Sequence, residues 1–156
     1  MLHEIITTKY LKSGYTLITV DNIPADTALS AAEILTTVSD AGVNIDMICQ
    51  TPPYSSSTDI SFTFEDKDLM RVLTAIGSLR AKFPKLRSDV NPGNCKLFFF
   101  GEEMVNTPGV AAGVLTMLSK AGLGIKLITT SDKDISILID AADQDAAASL
   151  FNLDVQ

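Results

Sequence analysis

One stretch of the chain is written twice. Residues Thr27–Gln50, TALSAAEILTTVSDAGVNIDMICQ, return 80 places later as Thr107–Thr130, TPGVAAGVLTMLSKAGLGIKLITT. From Thr27 to Ile48, ten of 22 positions are identical, among them Ala31/Ala111, Leu35/Leu115, Gly42/Gly122 and Ile45/Ile125. A repeat of this kind means two copies of one supersecondary unit, and it constrains the fold before any local assignment does. In the first copy Ala31, Ile34, Leu35, Val38 and Ala41 share one helical face. Asp26 and Thr27 are N-cap candidates, and Gly42 is the stop. Val43–Cys49 then alternates as a strand.

The remaining segments extend this pattern. Glu4–Leu11 and Tyr15–Asp21 read as strands separated by a Lys12-Ser13-Gly14 turn. Thr58–Phe64 is a strand, residues 66–82 a helix, Leu86–Val90 a short strand, and Asn91-Pro-Gly-Asn94 a turn. Cys95–Phe100, Leu123–Thr129 and Asp134–Asp140 are further strands, with helices over residues 107–121 and 143–151. The predicted class is α+β: two ferredoxin-like βαββαβ modules, antiparallel sheets with helices on one face. The second copy is one strand short and the first strand has no place in the first copy. The expectation is therefore a first module, residues 15–90, inserted in a second, residues 1–14 plus 91–156.

Composition excludes several functions. The apolar fraction of 46% supports a core, and the net charge of -7 opposes nucleic-acid binding. No apolar run approaches the ~18 residues that cross a bilayer, and residues 1–15 lack a signal-peptide pattern. Cys49 and Cys95 lie in apolar strand-like surroundings, which fits reduced, buried thiols in a cytoplasmic protein. With His3 as the single histidine, on the first strand, no nucleophile–histidine arrangement can be assembled in one chain. No metal motif, P-loop or dinucleotide fingerprint occurs, so neither cofactor nor metal is expected, and the chain carries no catalytic machinery.

The repeated loop-to-helix entry points to binding. A helix start presents unsatisfied N–H groups to a carboxylate. In the second copy Thr107 reads as the N-cap, Pro108 as the first helical residue, and Gly109 as room for close approach. The polar residues that open the next strand, Asn44 and Asp46 in one copy and Lys126 in the other, are expected near the same terminus. Together these suit a free amino acid. An ordinary helix start has the same Thr-Pro-Gly signature.

The residues Val43-Asn-Ile-Asp-Met-Ile-Cys-Gln50, Ser57-Thr-Asp-Ile-Ser-Phe62, Thr107-Pro-Gly-Val-Ala-Ala112 and Ile128-Thr-Thr-Ser131 give the chain a specific resemblance. It resembles the regulatory half of aspartokinase over nearly its whole length. The resemblance implies a pair of ACT domains that bind lysine, threonine or both, pair with those of a second chain, and control a catalytic domain or chain. Carried over, the first effector site uses Asp26, Asn44, Ile45, Asp46 and Gln50. The second uses Asn106, Thr107, Pro108, Gly109, Val110, Ile125, Lys126, Thr130 and Ser131. Two departures stand out: Ala28-Leu29 replaces the family's Pro-Gly, and Ser131-Asp132 precedes Asp134 where the family has a basic residue. The chain is then either a regulatory portion or a separately made small subunit. A stand-alone amino-acid sensor and a purely structural dimerisation module are the alternatives.

Overall fold

The structure, a computed structural model, describes residues 2–25, 30–53 and 56–154. Its elements are α1 (Leu2–Ile5), β1 (Thr8–Pro24), α2 (Ser30–Asp40), β2 (Ile48–Gln50), β3 (Ser57–Glu65), α3 (Leu69–Leu79), β4 (Arg87–Phe100), α4 (Val110–Lys120), β5 (Ile125–Thr130), β6 (Asp134–Asp140) and α5 (Gln144–Phe151). Short 3-10 turns lie at Asp66–Asp68, Glu102–Asn106 and Ala141–Asp143. Contacts divide the chain into a continuous unit, Tyr15–Pro92, and a split unit, Met1–Gly14 with Gly93–Gln156. Strand order is β2-β3-β1-β4 in the first and β1-β4-β6-β5 in the second, so β1 and β4 serve both units.

Each unit has its own core on one sheet face. In the split unit Cys95, Leu97, Phe99, Ile135, Ile137 and Ile139 meet Val110, Val114 and Leu118 of α4 and Phe151 of α5. In the continuous unit Ile18, Val20, Ile60, Phe62 and Phe64 meet Ile34 and Val38 of α2 and Val72 and Ile76 of α3. Alternation along each strand and 3–4 spacing along each helix place these residues inward. Burying each large apolar side chain contributes about 1.5–3 kcal/mol. The α+β expectation of antiparallel sheets with helices on one face is the architecture observed.

Both repeat helices end as their glycines require. Gly42 and Gly122 adopt φ of 79° and 73°. After α4, Gly122 N–H donates to Ser119 O and Leu123 N–H to Leu118 O, each at 3.0 Å, the pairing of a Schellman cap.

Three local expectations are corrected. The turn expected at Lys12-Ser13-Gly14 does not reverse the chain, because Gly14 takes φ 85° inside the single strand β1. The Asn91–Asn94 turn likewise lies inside β4, with Gly93 at φ 73° and the β6 register resuming at Asn94↔Asp140. Turn-type residues fix which φ values are accessible, whereas the flanking ladders decide whether the chain reverses. The alternating run Val43–Cys49 is laddered only from Ile48. Before it, Asp46 N–H donates to Thr63 O at 2.9 Å and Met47 N–H to Thr63 Oγ1 at 2.9 Å. Two residues thus share one partner, and the Thr63 hydroxyl substitutes for the missing backbone acceptor.

The start of the chain is also corrected. Leu2–Ile5, expected as strand from Glu4, forms the one-turn α1, so His3 lies on a helical turn. Leu2 and Ile5 pack against the split unit's core, and Leu2 meets α4 at Gly113, which has no side chain to obstruct it. The chain then enters β1 beside Phe100, whose carbonyl accepts from Thr7 N–H at 2.8 Å. This crossing depends on Gly101: a β-carbon there would stand 1.9 Å from the Ile5 carbonyl oxygen. Gly101→Ala is therefore expected to cost about 2–3 kcal/mol, read as a fall in Tm. Gly14→Ala meets open space but keeps the left-handed φ, and is expected to cost about 1–2 kcal/mol.

Candidate functional site: the ends of the two repeat helices

In the split unit α4 begins after Gly109, which holds φ 92° and ψ 2° as the N-cap, and no side chain caps the helix. The expectation that Thr107 caps and Pro108 opens the helix is corrected. Thr107 is extended, and its hydroxyl donates back to Glu103 O at 2.8 Å instead of forward to the first turn. Pro108 precedes the helix, and only glycine adopts the required left-handed backbone at little cost. Asn106, Pro108 and Gly109 are exposed, and Val110 is buried in the core. The first turn of α4 thus faces outward across a stretch without bulky side chains.

The β5–β6 turn lies at the same end of the sheet. Phe100 pairs with Asp134, Thr130 with Ile135, and Gly101 N–H donates to Lys133 O at 2.9 Å. Lys133 and Glu102 form an ion pair that joins the turn to the loop before α4. The Ser131 hydroxyl donates to Asp134 Oδ2 and accepts from the Lys133 and Asp134 N–H groups at 3.3 and 3.2 Å. Asn106–Val110 and Thr130–Ser131 therefore share one end of the split unit.

Ile125 and Lys126 do not join them. Ile125 pairs with Ile139, and Asn94 with Asp140, at the opposite end of β6. There the Lys126 ammonium donates to Asn94 Oδ1 at 2.6 Å and to Asp140 Oδ2 at 3.0 Å. The expectation that the first polar residues of the strand approach the helix N-terminus is corrected by the direction of α4. β4 and β5 are both antiparallel to β6, so the helix between them runs back along the sheet and starts β5 beside its own C-terminus.

The continuous unit repeats this division. Asp26 lies outside the described residues, as do Thr27 and Ala28-Leu29. Asn44 and Asp46 are exposed just after Gly42, at the C-terminal end of α2, and Ile45 packs on the core. Gln50 is carried to the other end. It lines a cavity of about 100 Å³ with Ile23, Pro24, Ser30, Pro53 and Thr58, at the start of α2. Two residues there were not singled out from the sequence: buried Ser30, and Thr58, whose hydroxyl donates to Thr51 O at 2.7 Å. The available signal was a polar Ser30 where the repeat has Val110.

Residues 25–78 and 98–151 each match the ACT domain family. The chain belongs to the ACT domain family. Among curated proteins it is 34% identical over 136 residues to the aspartokinase of Mycolicibacterium smegmatis, covering 85% of this chain and 32% of that protein. To the aspartokinase of Geobacillus stearothermophilus it is 32% identical over 111 residues, covering 71% and 26%. The chain thus spans about a third or less of these relatives. Among solved structures, the ligand-free regulatory subunit of aspartate kinase from Thermus thermophilus superposes with a TM-score of 0.84 at 25% identity, covering 95% of this chain and 97% of that one.

The two ACT repeats differ in charge and thiol chemistry. The Ala142 N–H and then the Lys126 ammonium hold the Asp140 carboxyl below its ordinary range. Cys95 Sγ lies 3.8 Å from Asp140 O; burial first, then the Asp140 and Asp143 carboxylates, push its thiol up to about 11. Cys49 is exposed on β2, which corrects the expectation that both thiols are buried. Both cysteines are free. Among the described residues no helix is long and apolar enough to cross a membrane.

Two outcomes follow for this ACT pair. A thiol reagent at pH 8 modifies Cys49 rapidly and Cys95 only after unfolding, which a thiol count with and without urea checks. Lys126→Met removes a donor from buried Asn94 and is expected to cost about 1–3 kcal/mol, as a lower urea midpoint with unchanged slope. The same variant raises the Asp140 pKa towards its ordinary value. A lowered carboxyl pKa contributes stability above the unfolded value and loses it as pH falls through the folded one. The gap between wild type and variant therefore narrows in acid.

Proposed function

We propose that this chain is the amino-acid-sensing regulatory part of an aspartate kinase, subject to feedback by lysine, threonine or both, and catalyses nothing by itself. The observation that carries this reading is the start of α4: an uncapped helix N-terminus behind exposed Pro108 and Gly109, at the sheet end that also holds Thr130 and Ser131. First-turn N–H groups and the helix dipole suit an α-carboxylate. Asn106 and Thr107, with Thr130 and Ser131, supply polar partners for the rest of an amino acid. Gln50 lies beside the corresponding cavity in the continuous unit; Asp26 is the further candidate effector residue of the first repeat.

In this reading Ile125, Lys126, Asn44, Ile45 and Asp46 support the repeats without touching an effector bound at the same unit's helix start. They remain available to an effector bound between ACT modules of two chains. The working form is a cytoplasmic homodimer paired through its ACT modules, coupled to an aspartokinase catalytic domain or chain. Similarity to a regulatory subunit of aspartate kinase supports that partner. Differential binding to two arrangements of the assembly supplies about 1–3 kcal/mol of coupling.

Titration calorimetry of the purified chain with L-lysine, L-threonine and L-methionine tests the reading. At least one of lysine and threonine is expected to give a saturable heat and a raised Tm, and Gly109→Val to weaken it at least tenfold by placing a branched side chain over the helix start. Silence towards all three at millimolar concentration would sink amino-acid sensing and leave a structural dimerisation module.

A further inference from the structure

The continuous unit carries another cleft, of about 460 Å³, that the amino-acid reading does not use. Asn22 and Pro24 of β1 form one wall, Ser56 and Ser57 line it at the start of β3, and the segment Lys82–Lys85 after α3 closes it. Its volume falls in the range of small-molecule pockets, about 300–1,000 Å³.

Backbone geometry marks the site. The β1–β3 register moves from Val20↔Ile60 to Ile23↔Thr58, so Asp21 and Asn22 together span the place of Asp59. Asn22 sits at this bulge with φ 61°, and among the described residues only it and the helix-capping Asn152 are non-glycine residues with positive φ. Strained bulge residues cluster at functional sites because the bulge re-aims a side chain. Here Asn22 Nδ2 donates to Lys85 O at 3.1 Å and ties the segment after α3 to the strand.

Charge marks it independently. The protein carries -7 overall, yet among the described residues this cleft is lined by Lys82 and Lys85 and by no carboxylate. Lys82 is held in place by both Glu33 oxygens, at 2.7 and 2.8 Å, with its ammonium 5.6 Å from the centre of the Phe83 ring. The Lys85 side chain is exposed.

We propose that this cleft binds a small organic oxyanion, its charged group against Lys85 and its apolar body on Pro24, Phe83 and Pro84. Glu33 balances the Lys82 charge, so the exposed Lys85 ammonium is the net positive charge of the cleft lining, and on an acidic protein it favours an anion locally. The charged group is a phosphate monoester or a carboxylate, and both present the oxygens that the Lys85 ammonium recognises.

Amide chemical shifts of the full chain, followed while phenyl phosphate or, in a parallel arm, benzoate is added to about 20 mM, test this at millimolar affinity. At least one arm is expected to give saturable shifts at Asn22, Ser57, Phe83 and Lys85, and the tighter arm names the charged group. Lys85→Met is expected to weaken binding at least fivefold, Lys85→Arg to retain it, and uncharged phenol not to bind. Non-saturating shifts in both arms, undiminished affinity in Lys85→Met, or phenol binding as tightly as the anions would overturn the proposal.

Discussion

The direction of the crossover helix is the constraint on which the rest depends. β1 and β2 are both antiparallel to β3, and β4 and β5 are both antiparallel to β6. Each repeat helix therefore joins two parallel strands and has to run back across the sheet to do so. This assigns the two ends of every unit different chemistry. One end receives the helix N-terminus together with the far end of the returning strand. The other receives the helix C-terminus, its glycine cap, and the strand's first residues. Any ligand that uses the helix start within one unit meets Thr130 and Ser131, or Gln50, and not Lys126 or Asp46.

Sequence divergence between the repeats follows this division. At the C-terminal end, Lys126 stands where the first copy has Asp46. It neutralises Asp140 and satisfies buried Asn94, so a change of sign in the sequence becomes a change of role in the structure. At the N-terminal end, Gly109 and Pro108 keep the helix start open in the split unit. Buried Ser30 and Thr58, with exposed Gln50, line a small cavity in the continuous one. One repeated plan thus carries chemically distinct ends in its two copies.

The parts of this arrangement legible in the sequence were those fixed by periodicity and by glycine. Ile34 and Val38, and Val114 and Leu118, announced the buried helix faces, and Gly42 and Gly122 announced where those helices stop. Gly14 and Gly93 were misleading because their residues permit a turn without requiring one. β1 and β4 run through them, since hydrogen-bonded neighbours exist on both sides. α1 is hidden because its four residues are too few to show a helical period, and the turn is packed by contacts with α4 about a hundred places away. At the site, the sequence shows Gly109 as room for close approach, but its role as the N-cap depends on a φ that no spacing rule reveals. The sequence places Lys126 on the correct strand but suggests the wrong end, because following a helix in sequence means lying beside its C-terminus.

The central claim is that an amino acid is held by its carboxylate at the start of α4. Residue-resolved amide hydrogen exchange, with and without the amino acid that binds, addresses it directly. First-turn N–H groups have no intrahelical acceptor, so a bound carboxylate gives them their first one. The account predicts slowed exchange at Val110–Ala112 and at Thr130 and Ser131, with Gly124–Lys126 unchanged. Slowing at Gly124–Lys126 while Val110–Ala112 exchange at their free rates would contradict it.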